Sequence, residues 1–199
     1  MSDETGPLGF TDAHHVALGR MLIAFQHLET AITQAIILIV EPKPHLKKHF
    51  FLPRILEELS FSTRLRLLSN IVQTTGEDYF VSPGTKYEAL RREELPELVA
   101  KICEGIALAE KSEVRRNQLV HSQWLGRGGV LYGPKDTVLR VKSRMKATKT
   151  ILQDEYIRAT DILSIVESME SAEKKISINA WILSGNITFN VPEDSPYPH

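Results

Sequence analysis

The chain has 199 residues, of which 42% are hydrophobic and 25% charged, the balance of a globular protein long enough for one domain with its own core. A net charge of −1 rules out nucleic-acid binding by bulk charge, so any such binding must come from local clustering. The single Cys103 rules out an internal disulfide and fits a reducing compartment, while the acidic opening MSDETGPLGF lacks the basic-then-apolar order of a secretory leader; the expectation is a soluble cytoplasmic protein.

Thr11 or Asp12 is placed to cap a long first helix, since each offers an oxygen to unpaired N–H groups. Leu18, Leu22, Phe25, Glu29, Ile32, Ile36 and Ile39 recur in steps of four and three and draw one stripe on that helix. The segment from Met21 to Val40 is the most apolar in the chain. Gln26, His27, Glu29, Thr30, Thr33 and Gln34 interrupt it, so it predicts an amphipathic helix and not a membrane span. Glu29 occupies a core position, and a carboxylate there needs a partner; Arg116 or Arg115 is the expected one. Pro42 and Pro44 stop the helix.

A second helical region follows Pro53, with Ile55, Leu56 and Leu59 on one side. It restarts at Ser60 or Ser62 and continues through Leu65, Leu68, Ile71 and Val72. Thr74 to Tyr87 contains Gly76, Pro83 and Gly84 and predicts a loop. Pro96 suits the first turn of a third long helix, with a stripe of Val99, Ile102, Ile106, Ala109, Glu113, Arg116 and Val120, ended by Gly126, Gly128 and Gly129.

The periodicity then changes. Val130 to Tyr132, a turn at Gly133-Pro134-Lys135-Asp136, and Thr137 onward predict a β-hairpin over about 130–146. Leu139, Val141 and Met145 fall on one face; Arg140, Lys142, Arg144 and Lys146 fall on the other. That basic face is either a track for an RNA backbone or the charged edge of a strand protected from further pairing. A fourth helix is expected near Thr150 to Lys175, carrying Ile151, Tyr156, Ile162, Leu163, Val166 and Met169. Ile176 to His199 reads as irregular. The domain is placed at residues 10–180, with a C-terminal tail at 181–199.

Chemistry concentrates in Glu113-Val-Arg-Arg-Asn-Gln-Leu-Val-His-Ser-Gln-Trp124. Asn117 and His121 are four apart and share a helical face, while Arg116 lies about 100° round from Asn117. An imidazole exchanges protons near neutral pH, and a guanidinium grips phosphate through paired hydrogen bonds. An amide orients either. Together they suit phosphodiester cleavage without a metal. The same residues also have a structural reading: Glu113 and Arg116 paired in the core, or either paired with Glu29, and His121 capping the helix C-terminus.

Other patterns carry less. His45 and His49 have helical metal-ligand spacing but no acidic third ligand, so no metal is expected. His14 and His15 are expected to face solvent. The Ser-x-x-Lys pattern occurs twice, at Ser143 and Ser171, and so discriminates nothing. Gly126-Arg-Gly-Gly129 follows a helix where a phosphate loop would open one. Trp124 is a candidate for stacking on a base or for packing.

Arg116-Asn117-Gln118-Leu119-Val120-His121 resembles the Arg-polar-x-x-x-His signature of the HEPN superfamily, late in a long helix as that family places it. Phe61-Ser-Thr through Leu68, the embedded Glu29 and His121-Ser-Gln-Trp124 resemble one bacterial group within it. The resemblance implies an all-α fold, a HEPN-like antiparallel helical bundle; the small β-hairpin insertion towards the C-terminal part, read from the residues, is not part of the core family pattern. It implies a homodimer whose two motifs share a cleft, and a metal-independent endoribonuclease in a toxin–antitoxin, phage-defence or RNA-processing setting. RNA would be the substrate, and an antitoxin or nucleotidyltransferase a partner, with no cofactor. Arg116, Asn117 and His121 inherit the catalytic roles. Glu29, Glu113 and Arg115 would support them, and Arg140, Lys142, Arg144, Lys146 and Trp124 would contact RNA. The family also contains non-catalytic helical modules, which is the alternative function.

Overall fold

The computed structural model describes residues 10–40, 51–78, 88–125, 137–146 and 149–186. The protein is mostly helical with a small three-stranded sheet. Five helices are described: α1 (Asp12–Val40), α2 (Phe51–Glu57), α3 (Phe61–Asp78), α4 (Glu88–Val120) and α5 (Ala159–Asn186). The strands are β1 (Gln123–Leu125), β2 (Thr137–Lys146) and β3 (Lys149–Arg158). The chain divides into two compact units. One takes the described residues of Met1–Leu28 and Leu108–Ser171; the other takes those of Glu29–Ala107 and Ala172–His199.

The first unit holds the N-terminal half of α1, the C-terminal part of α4, the sheet and the start of α5. Thr11 caps α1, its carbonyl accepting the N–H of His14 at 2.9 Å. The His14 ring reaches back to the Thr11 N–H and hydroxyl (3.4 and 2.8 Å), a role usually filled by Glu or Gln. Its Nε2 lies 3.3 Å from the Ile157 carbonyl on β3. His14 is therefore buried, contrary to the expectation of a solvent-facing first turn, while His15 is exposed. The core face of α1 also differs from the predicted stripe. Ala17, Met21, Ala24, Phe25 and Leu28 are buried, whereas Leu22 is exposed. The apolar set is wide enough for the helix to turn by one residue and bury Met21 in place of Leu22.

The sheet has order β1-β2-β3 and is antiparallel throughout. Lys149–Arg158 is a strand, where a helix start was expected, and α5 begins only at Ala159. Residues 149–158, with the β-formers Thr150, Ile151, Tyr156 and Ile157, pair residue for residue with β2, from Thr137↔Arg158 to Lys146↔Lys149, and that ladder outweighs helical spacing. The hairpin therefore runs through β2 and β3. The predicted arm and turn at 130–136 lie outside the described residues. Asp161 starts α5 by accepting the Arg158 N–H at 2.8 Å, and the helix continues to Asn186, through part of the expected tail.

The second unit packs Ile32, Ile36 and Ile39 of α1, Leu56 of α2, Leu65, Leu68 and Val72 of α3, Leu98, Ile102 and Ile106 of α4, and Ile176, Ala180 and Leu183 of α5 in its core. Ile55, expected beside Leu56, is exposed. Ser60 caps α3: its hydroxyl accepts the Thr63 N–H at 3.3 Å. The helix runs to Asp78, so residues 74–78, expected in a loop, are helical. α4 begins at Glu88 and contains Pro96 in its interior. The strong helix formers of 88–95, EALRREEL, extend the helix ahead of the proline. The buried line on α4 is Leu98, Ile102, Ile106, Ala109, Ser112 and Leu119, so the expected continuation through Glu113, Arg116 and Val120 lies off the core face.

Among the described residues one helix, Asp12–Val40, is long and apolar enough to cross a bilayer by length and composition, and 44% of its apolar 18-residue stretch is buried in the protein.

Candidate functional site

α4 ends at Val120, earlier than the glycines at 126–129 suggested, because the chain turns at His121-Ser122 into β1. The last turn leaves carbonyls without helical partners. The His121 N–H closes one of them, on Asn117, at 3.1 Å. The Ser122 hydroxyl donates to the Gln118 carbonyl, and the Trp124 indole N–H donates to the Leu119 carbonyl at 3.2 Å. Trp124 is thus the C-terminal clasp of α4, half-buried, with the Phe10 ring edge-on at 5.3 Å.

Arg116 is held on two sides. Its Nη1 donates to Asn117 Oδ1 at 2.9 Å, and its guanidinium carbon lies 4.4 Å from the centre of the Phe25 ring on α1, in cation–π range. Its Nε is buried without a hydrogen-bond acceptor. Asn117 is half-buried and His121 is exposed. His121 follows Asn117 by four residues and stands about 40° from it round the helix, and about 140° from Arg116. Arg116 and Asn117 are thus joined directly, while His121 shares the Asn117 side of the helix end and opens to solvent.

Arg115 points elsewhere. It forms a two-pronged pair with Glu155 on β3, with Nη1 3.0 Å from Oε2 and Nη2 on Oε1, and Nη1 also donates to Gln118 Oε1 at 3.1 Å. The Arg115 guanidinium holds the Glu155 carboxyl below its ordinary range against an opposing effect of burial, and Arg115 is raised in turn by the same hydrogen bond. Arg140 stands opposite Glu155 in the β2–β3 register, its Nε 3.3 Å from Glu155 Oε2.

This corrects the expected RNA-facing strand. Arg140 is 4% exposed, and Thr137 to Val141 are all buried, so β2 is the covered central strand of the sheet. Arg140 therefore belongs to neither a basic track nor a charged edge. Lys142 is half-buried, and the side chains of Arg144 and Lys146 lie outside the described residues.

Glu29 is also corrected. Its carboxylate is 2.6 Å from Arg64 Nη2 on α3, and Arg64 Nη1 donates to Thr33 Oγ1 at 3.0 Å. Arg115 is already taken by Glu155, and Arg116 by Asn117 and Phe25. Glu113 is half-buried and engaged.

Sequence reasoning missed three participants: Phe25 as a platform for Arg116, Arg64 as the partner of Glu29, and Glu155 as the centre of a two-arginine cluster. Arg64 follows the Ser60 cap and faces an acid one helix away, a signal that charge pairing across helices could have found. Glu155 was hidden by the helical reading of 150–175.

Among the described residues no group of three or more His, Cys, Asp or Glu is placed to hold a metal ion; His45 and His49 lie outside them. Burial pushes the Cys103 thiol up, away from the reactive thiolate. Comparison with protein-family models, with curated proteins and with solved structures gives no match.

Proposed function

We propose that this chain is a HEPN-like, metal-independent endoribonuclease, acting in the cytoplasm as a homodimer. Arg116 and His121 form the essential pair, and Asn117 orients the arginine. The observation that carries the reading is the preorganised Arg116: its guanidinium is set by the Phe25 face and by Asn117 Oδ1, at the helix end that exposes His121. A cation held before substrate arrives costs no reorganisation when charge develops on a phosphorane.

In the proposed reaction a histidine takes the proton of a ribose 2′-hydroxyl. The freed oxygen attacks the adjacent phosphorus, and Arg116 stabilises the phosphorane oxygens. The P–O5′ bond breaks, and a second imidazole returns a proton to the leaving oxygen. The products are a 2′,3′-cyclic phosphate and a 5′-hydroxyl. A two-fold dimer would supply both histidines and bring each to the arginine of its mate, offsetting the angular separation of Arg116 and His121 within one chain.

The alternative is a non-catalytic helical interaction module. It is favoured by how much of Arg116 is spent inside the protein, with its face on Phe25 and Nε buried.

The test is incubation of the protein with mixed-sequence RNA in excess EDTA, beside His121→Ala and Arg116→Ala variants of verified fold. The expected result is cleavage by the wild type and a loss of about 10²–10⁴-fold in the His121 variant, with Arg116→Ala similarly impaired. Absence of cleavage across several RNAs at high protein concentration, or activity unchanged in His121→Ala, overturns the ribonuclease and leaves the module.

A further inference from the structure

We infer that the groove between the C-terminal part of α4 and the first turns of α5 is a phosphate-binding site. Lys111 and Arg115 are its cationic grip, and buried Arg140 is the reserve partner that takes Glu155 when Arg115 turns to the phosphate. The site is separate from the Arg116–Asn117–His121 cluster and goes beyond the proposed cleavage.

The groove encloses about 650 Å³, within one compact unit, which is in the range of small-ligand sites. Lys111, Arg115 and Gln118 line one wall at helical spacing along α4, and Glu155 and Asp161 line the other side. Arg115 and Glu155 side chains are about one-third exposed, 33% and 35%, so both are reachable from the groove. Asp161 is bound into the start of α5 through the Arg158 N–H.

Behind Glu155, Arg140 is out of balance. One carboxylate serves two guanidiniums, and Arg115 has the better of it, with hydrogen bonds from both Nη atoms. Arg140 comes within 3.3 Å through Nε alone. Its Nε and Nη1 are buried with no hydrogen-bond acceptor. A buried charged donor without an acceptor is unfavourable. A small movement of the Glu155 carboxylate toward Arg140 would satisfy those donors and release the Arg115 fork. The fork matches two oxygens of a phosphate, and Gln118 Oε1 holds it in orientation at 3.1 Å. Exposed Lys111, one turn earlier on the same face, adds a point charge. With Glu155 turned to Arg140, Lys111 and Arg115 face Asp161 across the groove, leaving a net attraction for an anion.

The shared ligand chemistry is the phosphate oxyanion, whether from a nucleotide or from an RNA backbone. The experiment uses the full chain in a His121→Ala background, so that binding is read without cleavage and stands apart from the ribonuclease test. Inorganic phosphate and AMP are titrated by calorimetry, and a fluorescein-labelled oligoribonucleotide by anisotropy. Arg115→Gln is expected to weaken binding about tenfold and Lys111→Gln several-fold, while Glu155→Gln, which frees Arg115, tightens it about fivefold. Binding of all three probes with this order of variants identifies a site that accepts free phosphate groups; binding of the oligonucleotide alone, with the same order, identifies backbone phosphates. A pair that only holds the fold predicts no tightening. The proposal is overturned if no probe binds, or if Glu155→Gln weakens binding as Arg115→Gln does. Should Glu155→Gln fail to fold, unchanged affinity in the exposed Lys111→Gln variant overturns it equally.

Discussion

Replacing Glu29 with Ala removes the carboxylate that Arg64 meets among the described residues. The Arg64 side chain is 12% exposed and that of Glu29 is 31%, so the guanidinium cannot simply rehydrate. It would keep Thr33 Oγ1 at 3.0 Å, but its Nε is already buried without an acceptor. Breaking a fully buried ion pair costs about 3–5 kcal/mol, and a hydrogen bond to a charged group is worth about 1.5–3 kcal/mol. The partial exposure of Glu29 admits water and screens the charge, which places the expected loss near 2 kcal/mol. For a chain of this length that is a fall in Tm of about 4–8 °C. Urea unfolding at neutral pH measures it. A double-mutant cycle with Arg64→Met then separates the pair from its surroundings, because the unbranched methionine fills similar volume without a charge. The expected coupling is about 1–2 kcal/mol. A Glu29→Ala loss below about 0.5 kcal/mol, or additive single and double variants, would refute the assignment of Arg64 as the partner.

Two further outcomes follow from packing and charge. At Gly105, inside α4, an added Cβ would meet Ile176 Cγ1 at 2.8 Å and the Ala172 carbonyl oxygen at 3.2 Å. Gly105→Ala is expected to lose about 1 kcal/mol in urea unfolding, because overpacking strain of about 1–3 kcal/mol exceeds a helix-propensity gain of about 1 kcal/mol; a more stable variant would contradict this close approach of α5. The Glu155 carboxyl is held below its ordinary 4.5, first by the Arg115 hydrogen bond, so its contribution is present above 4.5 and lost as pH falls through the depressed folded value. The stability gap between wild type and Glu155→Gln should therefore shrink as pH falls below the ordinary carboxylate range; a gap that stays constant on acidification would exclude the pairing as its source.

The candidate site was legible in part. Arg116, Asn117 and His121 stand out because a cation, an amide and an imidazole cluster where an apolar stripe should continue. The structure joins the first two and exposes the third. Their surroundings were not legible. Phe25 was read as core, which it is, yet its ring is also the seat of the Arg116 guanidinium. Alternation alone puts Arg140 on an exposed face, but Thr137 to Val141 are buried on both faces of β2, and alternation along one strand does not say what lies above it. Residues 150–158 carry apolar spacings compatible with a helix; only pairing with β2 decides for a strand, and that pairing is set by the neighbouring strand, not by the local pattern.

What the sequence determined by itself is local and periodic. The capped helix starts at Thr11 or Asp12 and at Ser60 or Ser62, the long apolar helices and the motif late in α4 all follow from near neighbours, because capping and amphipathic burial act within a turn or two. What the tertiary structure decided is pairing: Glu29 with Arg64, Glu155 with Arg115 and Arg140, His14 with the Ile157 carbonyl, Arg116 with Phe25. A charge or a ring in a sequence carries a demand for a partner, and several residues can meet it. Only the folded chain, by bringing one of them within a few ångströms, selects which one does.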